Sequence, residues 1–224
     1  ALGGAGEDRL HIAVLGRRLA GVHGLLMLGQ VFPGDPADLL EHHGRARDLL
    51  RKLIAEHDLE AFPAVTVAAT LGEGIASLVQ CSGIGALSPN MVLFGWNRDA
   101  ERRRAFEENL RTVARLGRSM GIYRCARPSP EPWNPPPGTL DVWWYGGSVN
   151  GHLMLLLAHV MRNSPGYRGR RIRLLRMVDT DKGLDDILAH LEMLSSEVRI
   201  PCDCRVVTGT RFSEVLRRES GGTA

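Results

Sequence analysis

Residues 141–160 read DVWWYGGSVNGHLMLLLAHV, a β-prone run that ends in a glycine turn and passes at once into an almost wholly apolar helix. Successive side chains of a strand point to opposite faces, so Trp143 and Trp144 are expected to place one indole on each side of a sheet. A strand that is bulky on both faces and feeds an apolar helix is typical of a parallel sheet covered by helices on both sides. The stretch therefore predicts an α/β fold.

The rest of the chain repeats this alternation. The sequence predicts helix 9–20, strand 25–32, helix 36–57, strand 64–69, helix 73–80, strand 91–96, helix 98–120, strand 122–126, strand 140–145, helix 149–162, strand 171–178, helix 184–198 and strand 203–207. Strands that alternate with helices of ten or more residues indicate parallel βαβ units with right-handed crossovers.

A proline-rich segment divides the chain. Six of its 12 prolines lie between Pro128 and Pro137. Such density fixes backbone geometry and removes hydrogen-bond donors, which predicts a stiff connector. We therefore predict two tandem Rossmann-like subdomains with mainly parallel sheets, residues 1–127 and 138–224, joined by the linker 128–137.

Bulk composition excludes several classes of protein. The net charge of +3 over 224 residues implies neither a nucleic acid nor an acidic partner. No apolar run approaches the roughly 18–20 residues that a membrane-spanning helix needs. Two stretches are rich in arginine but lack the interleaved aromatics of nucleic-acid binders, so we expect solvated faces, with contact to an anionic membrane surface as the alternative. Their arginines are Arg102, Arg103, Arg104, Arg111, Arg115, Arg118, Arg168, Arg170, Arg171, Arg173 and Arg176.

The first glycine turn, around Gly72 and Gly74, imitates a dinucleotide-binding fingerprint. It follows a predicted strand and opens a helix, but the third glycine is replaced by Ser77. The acidic residue expected about 20 residues later, at the tip of the next strand, is missing, since Asp99 lies too far along. Helix entry with close packing is the favoured interpretation, and an NAD-dependent enzyme is the disfavoured one.

The second glycine turn offers a weak anion or nucleotide site. Gly146, Gly147, Ser148 and Asn150 place free backbone N–H groups at a predicted helix N-terminus. The lysine and hydroxyl that a P-loop uses for phosphates and Mg²⁺ are absent. We expect no cofactor here, or weak binding of ATP or ADP.

Residues that could support catalysis or bind a metal do not converge. No GxSxG elbow occurs, Cys202 and Cys204 lack a second ligand pair at metal-site spacing, and His152 and His159 share a helix face without a carboxylate. An acidic cluster follows the strand at 171–178 and consists of Asp179, Asp181, Asp185 and Asp186. Helix capping and first-turn positions explain Asp181, Asp185 and Asp186 without a metal. The sequence therefore predicts no catalytic residues, no metal and no enzyme.

Several segments resemble the soluble C-terminal domain of cation–chloride cotransporters, most nearly the prokaryotic branch within the amino-acid permease superfamily. Residues 81–96 resemble the family pattern GxGxLxPNxVLxGW, and residues 138–144 resemble its GTIDVWW. Residues 24–31, 150–157 and 170–175 resemble further family segments. The resemblance covers most of the chain, with Pro89-Asn90 and Asp141–Trp144 as its most specific parts.

The resemblance implies a fold and a function. The fold would be two universal-stress-protein-like subdomains, and the chain would be a non-catalytic regulatory and dimerisation domain on the cytoplasmic side of the plasma membrane. Its partners would be its own transmembrane transporter domain and a second copy. The alternative is an adenine-nucleotide-binding sensor of the universal-stress type. The family's first strand has no counterpart before Arg9, which predicts a sheet that lacks an edge strand.

Overall fold

A computed structural model describes residues 6–83, 87–96, 99, 101–124, 134–135, 137–146 and 150–221. The chain divides into two compact units, Ala1–Pro132 and Trp133–Ala224. Most of the predicted linker 128–137 lies outside the described residues, so its stiffness stays a prediction. Within the described ranges, no helix combines the length and apolar character needed to cross a bilayer.

Strands and helices alternate through both units, which confirms the predicted α/β fold. The first unit contains α1 (Gly6–Ala20), β1 (Leu26–Pro33), α2 (Pro36–Glu56), β2 (Ala61–Ala68), α3 (Leu71–Cys81), β3 (Met91–Gly95), α4 (Arg103–Arg115) and β4 (Ser119–Tyr123). The second contains β5 (Leu140–Trp143), α5 (Asn150–Asn163), β6 (Ile172–Val178), α6 (Leu184–Glu197), β7 (Asp203–Thr208) and α7 (Phe212–Ser220).

Helix α4 is shorter than the predicted range 98–120. It begins at Arg103 and ends at Arg115, and the next strand already starts at Ser119. Gly117 adopts φ +68°, the left-handed conformation that commonly ends helices. The apolar periodicity of the sequence does not register this break, because Leu116 continues the apolar stripe.

The described strands of the first unit form two parallel pairs. Strand β1 pairs with β2, with Leu26 opposite Ala61, and β3 pairs with β4, with Met91 opposite Ser119. No hydrogen-bonded ladder joins the two pairs among the described residues. Residues 1–5 lie outside the described residues, so the expected lack of an edge strand before Arg9 stays a prediction; the described strands are interrupted between β1 and β3.

Two apolar clusters cover opposite faces of these strands. On one face, helices α1 and α2 pack against β1 through a cluster of Ala13, Val14, Leu28, Leu50 and Leu59. On the other face, helices α3 and α4 pack against β1 and β3 through a cluster of Val31, Ile75, Val79, Phe94 and Val113. Helices on both faces of parallel strands define a doubly wound arrangement.

The described strands of the second unit form a three-stranded parallel sheet in the order β5-β6-β7. Helices α5 and α6 bury its core, which includes Leu140, Val142, Trp144, Leu155, Ile172, Leu174, Leu191 and Leu194. Helix α7 was not predicted from the sequence. It contacts the sheet through Phe212, whose ring meets Trp143 edge-on at 5.2 Å between centroids.

Candidate functional site

The two adjacent tryptophans lie on opposite faces of the sheet, as predicted. Trp144 is buried in the core beneath α5. Trp143 faces α7, where its Nε1 donates a hydrogen bond of 3.1 Å to Ser220 Oγ. Trp143 therefore packs against α7 on one face of the sheet, and Trp144 packs against α5 on the other.

Gly151 allows α5 to approach the Trp144 indole. A Cβ placed on Gly151 would lie 1.7 Å from Trp144 Cζ3, far inside van der Waals contact. The first turn of α5 thus packs its backbone directly on the ring. This packing explains Gly151 without any ligand.

A buried charge network lies at the amino ends of β5 and β6. Asp141 and Arg173 are directly opposite in register, and Arg173 Nε donates to Asp141 Oδ1 at 2.8 Å. Arg173 Nη2 also donates to Asp141 Oδ2 and, at 2.7 Å, to the carbonyl of Glu219 in α7. Thr139 Oγ1 donates to Asp141 Oδ1 at 2.8 Å, and Ser220 Oγ donates to Oδ2. The network connects both strands to the end of α7.

The network shifts the acidity of both charged groups. Burial alone would raise the pKa of Asp141, but hydrogen bonds from Arg173, Ser220 and Thr139 and the charge of Arg173 together hold it below its ordinary value. The hydrogen bond to Asp141 raises the pKa of Arg173, against the opposing effect of burial. Both groups are therefore charged at neutral pH.

The predicted anion site of Gly146, Gly147, Ser148 and Asn150, which we call the cradle, lies at the carboxyl end of β5, opposite to the end with the charge network. Gly146 adopts φ +91°, and a Cβ on it would lie 3.1–3.3 Å from the guanidinium atoms of Arg176. Asn150, which begins α5, is exposed. Gly147 and Ser148 lie outside the described residues, so their predicted role is neither supported nor contradicted. In the sequence, Arg176 is distinguished only as a member of the arginine-rich stretch at the entry to β6.

The chemistry of this cradle suits an anion. The Arg176 guanidinium beside Gly146 offers planar N–H donors in a geometry that matches the oxygens of a phosphate or carboxylate. Ligands of parallel α/β sheets bind outside the carboxyl ends of the strands, which is where Gly146 and Arg176 lie. Binding of a phosphate or carboxylate at this turn stays a prediction.

The Gly72 and Gly74 turn has a packing role. Thr70 Oγ1 accepts a hydrogen bond from the backbone N–H of Glu73 at 3.2 Å, and Glu73 Oε2 accepts one from the N–H of Thr70 at 3.3 Å, which completes a capping box. A Cβ on Gly74 would lie 2.2 Å from Val31 Cγ1. The glycine therefore lets α3 pack closely on β1, in line with the favoured interpretation.

The cysteines of the second unit are held in polar and apolar packing. Cys202 Sγ contacts the carbonyl of Ile200 at 3.1 Å. Burial raises the pKa of Cys202, and burial together with nearby negative charges raises that of Cys204 to about 11. Thiols with raised pKa values are poor nucleophiles and poor metal ligands at neutral pH. Over the described part of the chain, no group of three His, Cys, Asp or Glu residues could hold a metal.

The arginine-rich helix α4 carries its own counterions. Arg104 pairs with Glu108 at 3.3 Å, and Arg111 pairs with Glu107 at 3.8 Å, both across one helical turn. All four side chains are exposed. The helix thus presents the solvated charged face that was predicted.

Three comparisons confirm the family resemblance read from the sequence motifs. A family model described as solute carrier family 12 matches residues 12–112. A protein of Oryza sativa subsp. japonica named "Cation-chloride cotransporter 1" is 22% identical over 205 residues, covering 89% of this chain and 20% of that protein. The chain thus spans about a fifth of the length of this curated relative.

The fold is also similar to a solved structure. The crystal structure of the cytoplasmic domain of a prokaryotic cation chloride cotransporter superposes with a TM-score of 0.57 at 15% sequence identity. The match covers 86% of this chain and 71% of that one. At this level of identity the similarity establishes the fold.

Proposed function

We propose that this chain, which resembles the C-terminal domain of cation–chloride cotransporters, is the cytoplasmic regulatory and dimerisation domain of such a transporter or of a related permease. The observation that carries the proposal is the extent of the likeness, which covers 86% of the chain in the structural comparison and 89% of it in the comparison with the relative from Oryza sativa. The domain would act by contact rather than catalysis. Its main partner would be its own transmembrane domain.

Dimerisation is supported by exposed apolar side chains in and next to α5. Tyr145 is 90% exposed and Leu156 is 52% exposed, with Met154 also partly exposed. Large apolar groups that remain in water on the surface of a folded domain often mark a protein contact. We propose that the face of α5 that carries Leu156, called the α5 surface, lies at the interface between two copies.

The dimer proposal is tested by light scattering after size exclusion over a hundredfold range of concentration. Leu156→Lys should shift the chain towards monomer, whereas Leu49→Lys, on the 67% exposed Leu49 of α2, should leave self-association unchanged. A monomer at every concentration, or equal effects of both substitutions, would contradict the α5 surface as the interface.

The regulatory role requires the transporter itself. In proteoliposomes, chloride-dependent flux through the full-length protein should change when this domain is deleted, and Leu156→Lys should reproduce part of that change. Unaltered flux in both cases would contradict a regulatory function.

Arginines of α4 are proposed to face the anionic cytoplasmic leaflet, where each contributes about 1 kcal/mol near lipid. Sedimentation with vesicles containing phosphatidylserine tests this contact.

A second candidate function is binding of an adenine nucleotide or another phosphate ligand at the cradle. The specific observation that favours it is the Arg176 guanidinium beside Gly146 at the carboxyl end of β5. A ligand present at about 100 times its Kd stabilises the fold by roughly 2.7 kcal/mol. ATP at millimolar concentration should therefore raise the melting temperature, and Arg176→Ala should abolish the rise while Arg205→Ala preserves it. An unchanged melting temperature would contradict nucleotide sensing.

A further inference from the structure

The charges of the second unit are divided between the two ends of its sheet. Helices α5 and α6 each run from the carboxyl end of one parallel strand to the amino end of the next, so the segments 164–171 and 198–202 lie at the amino end. These two segments contain four arginines and no acidic residue, and the last turn of α5 adds a fifth arginine. We call this set the basic end, and it consists of Arg162, Arg168, Arg170, Arg171 and Arg199.

The opposite end of the same sheet is acidic. The segment 179–186, which joins β6 to the first turn of α6, contains four aspartates and one lysine. Positive and negative charges are thus separated along the strands of the second unit. Such a separation orients a domain in an electric field and directs its basic end towards a negatively charged surface.

The register of the sheet brings the arginines of the two segments close together. Arg173 of β6 lies directly opposite Asp203 of β7, so the segments that end at Arg171 and Cys202 enter the sheet side by side. Burial raises the pKa of Cys202, and the charge of Arg162 is one of the effects that oppose this shift. The last turn of α5 is therefore close to the second segment as well.

The first segment is anchored to the core of the unit. Tyr167 packs against the apolar core, and the Arg170 guanidinium lies over its ring, 4.9 Å from the centroid. Arg170 Nη2 also donates to the carbonyl of Pro135 at 3.0 Å. Arg168 and Arg171 are exposed on either side of this anchor, and neither pairs with an acid among the described residues. The segment thus presents two uncompensated charges on an anchored backbone.

Arg199 has a backbone conformation that glycine adopts more readily. Its φ is +55°, in the left-handed region, just after α6 ends. Its N–H donates to the carbonyl of Ser196 at 3.1 Å, and the N–H of Ile200 donates to the carbonyl of Ser195 at 3.2 Å, in a helix ending that usually contains glycine. An exposed arginine in this strained position points to a role other than stability of the fold.

We propose that the basic end of the second unit binds an anionic membrane surface. This rests on the proposed function in one respect, since that function places the domain beside a bilayer. Anionic headgroups form an extended negative surface, which attracts clusters of arginine. The amino ends of the strands then face the bilayer, and the acidic carboxyl end faces away from it.

Two features favour a lipid surface over other partners and over other parts of the chain. Proteins that bind single-stranded nucleic acid add aromatic side chains on which bases stack, whereas Tyr167, the aromatic residue of the basic end, packs against the core. Arginines of α4 pair with glutamates one turn away, as Arg104 does with Glu108. The basic end therefore offers the less compensated positive charge.

The test measures sedimentation of the purified chain with phosphatidylcholine vesicles that contain or lack phosphatidylserine. Arg168→Gln combined with Arg171→Gln removes two charges from the basic end. The matched control, Lys182→Gln combined with Arg211→Gln, removes the same charge from the carboxyl end. This measurement needs no transporter, so it can fail or succeed independently of the flux measurement that tests regulation.

The chain should bind only the vesicles that contain phosphatidylserine. The basic-end variant should bind them about 25-fold more weakly, because each arginine near an anionic surface contributes about fivefold. The control should stay within about twofold of the unaltered chain, since salt screens charges that are distant from the surface.

Arg199→Gly separates binding from folding. It should raise the melting temperature, because glycine adopts the left-handed conformation without strain, and yet weaken vesicle binding about fivefold. A purely structural role of Arg199 predicts the opposite change in melting temperature and is excluded by this combination.

Three results would overturn the proposal. The first is equal vesicle binding by the two double variants. The second is stronger displacement by sodium phosphate than by sodium chloride of equal ionic strength, which would assign the arginines to a discrete phosphate site. The third is loss of self-association, rather than of vesicle binding, in the basic-end variant, which would show that the basic end meets the acidic end of a second copy.

Discussion

Replacing Asp141 with alanine should strongly destabilise the second unit. Its side chain is 4% exposed, that of its partner Arg173 is 13% exposed, and the carboxylate also accepts from Thr139 and Ser220. Removing one partner of a buried pair leaves an uncompensated charge and costs about 3–5 kcal/mol. Typical domains have a total stability of about 5–15 kcal/mol, so the loss is a large fraction of it.

The matched control is Asp203→Ala in the same sheet. Asp203 pairs with Arg205 at 3.0 Å, but the two side chains are 32% and 49% exposed. Exposed pairs contribute about 0–1 kcal/mol, so the control should lose little stability. Urea unfolding followed by tryptophan fluorescence measures both changes. Hydrogen exchange in β5 and β6 assigns the loss to the second unit.

A double variant separates the charge penalty from packing. Asp141→Leu combined with Arg173→Met replaces the pair by apolar groups, which is often neutral in other proteins. It should therefore recover most of the stability that Asp141→Ala removes. If Asp141→Ala lowers the free energy of unfolding no more than Asp203→Ala does, the buried pair does not stabilise the second unit and the prediction is wrong.

The same network predicts a dependence on pH. The pKa of Asp141 in the folded chain lies below its ordinary value of 3.8, so the unfolded chain takes up this proton first as pH falls. The stabilising contribution is fully present above about pH 5 and is lost as pH falls through the folded pKa. Below pH 4, the stability of the unaltered chain should fall more steeply than that of Asp141→Ala. Parallel curves would contradict this.

Two further predictions concern packing and thiol reactivity. Gly151→Ala drives a Cβ into the Trp144 ring and should cost about 1–3 kcal/mol, whereas Gly44→Ala, with nothing within 4 Å, should stabilise α2 by about 0.5–1 kcal/mol; thermal melts of both variants check the opposite signs. Burial raises the pKa of Cys204 to about 11, so iodoacetamide at pH 8 should alkylate exposed Cys81 well before Cys204, as measured by peptide mass spectrometry; equal rates would contradict the buried environment.

The alternation of elements was predictable because each signal is local. Prolines, glycines and apolar spacing placed most boundaries within a few residues, and the Trp143-Trp144 pair predicted helices on both sides of β5. Helix α7 was missed because it is nine residues long and its apolar stripe is short, with Val215 as the buried residue that its packing depends on. Short helices of this kind are stabilised by tertiary contacts more than by propensity.

The contacts that organise the second unit depend on register, which the sequence did not supply. Arg173 was visible only as one of several arginines near a strand entry. Its pairing with Asp141 follows from the parallel register of β5 and β6, and the participation of Ser220 depends on α7 returning to the same end of the sheet. In the first unit, the interruption between β1 and β3 could likewise be located only from the pairing of strands.

The position of Asp141 and Arg173, whose pKa values are shifted, is relevant to the proposal that the domain is not catalytic. Perturbed pKa values often mark active sites, but structural ion pairs perturb them as well. Asp141 and Arg173 are each the second residue of their strand, so they lie at the amino ends of the sheet. Ligands of such sheets bind at the carboxyl ends. At that end the described residues include Arg176, whose guanidinium lies beside Gly146, and the acids Asp179 and Asp181, which directly follow β6. The shifted pKa values of Asp141 and Arg173 therefore fit a structural role for this buried pair. This supports the proposal that the domain acts by contact.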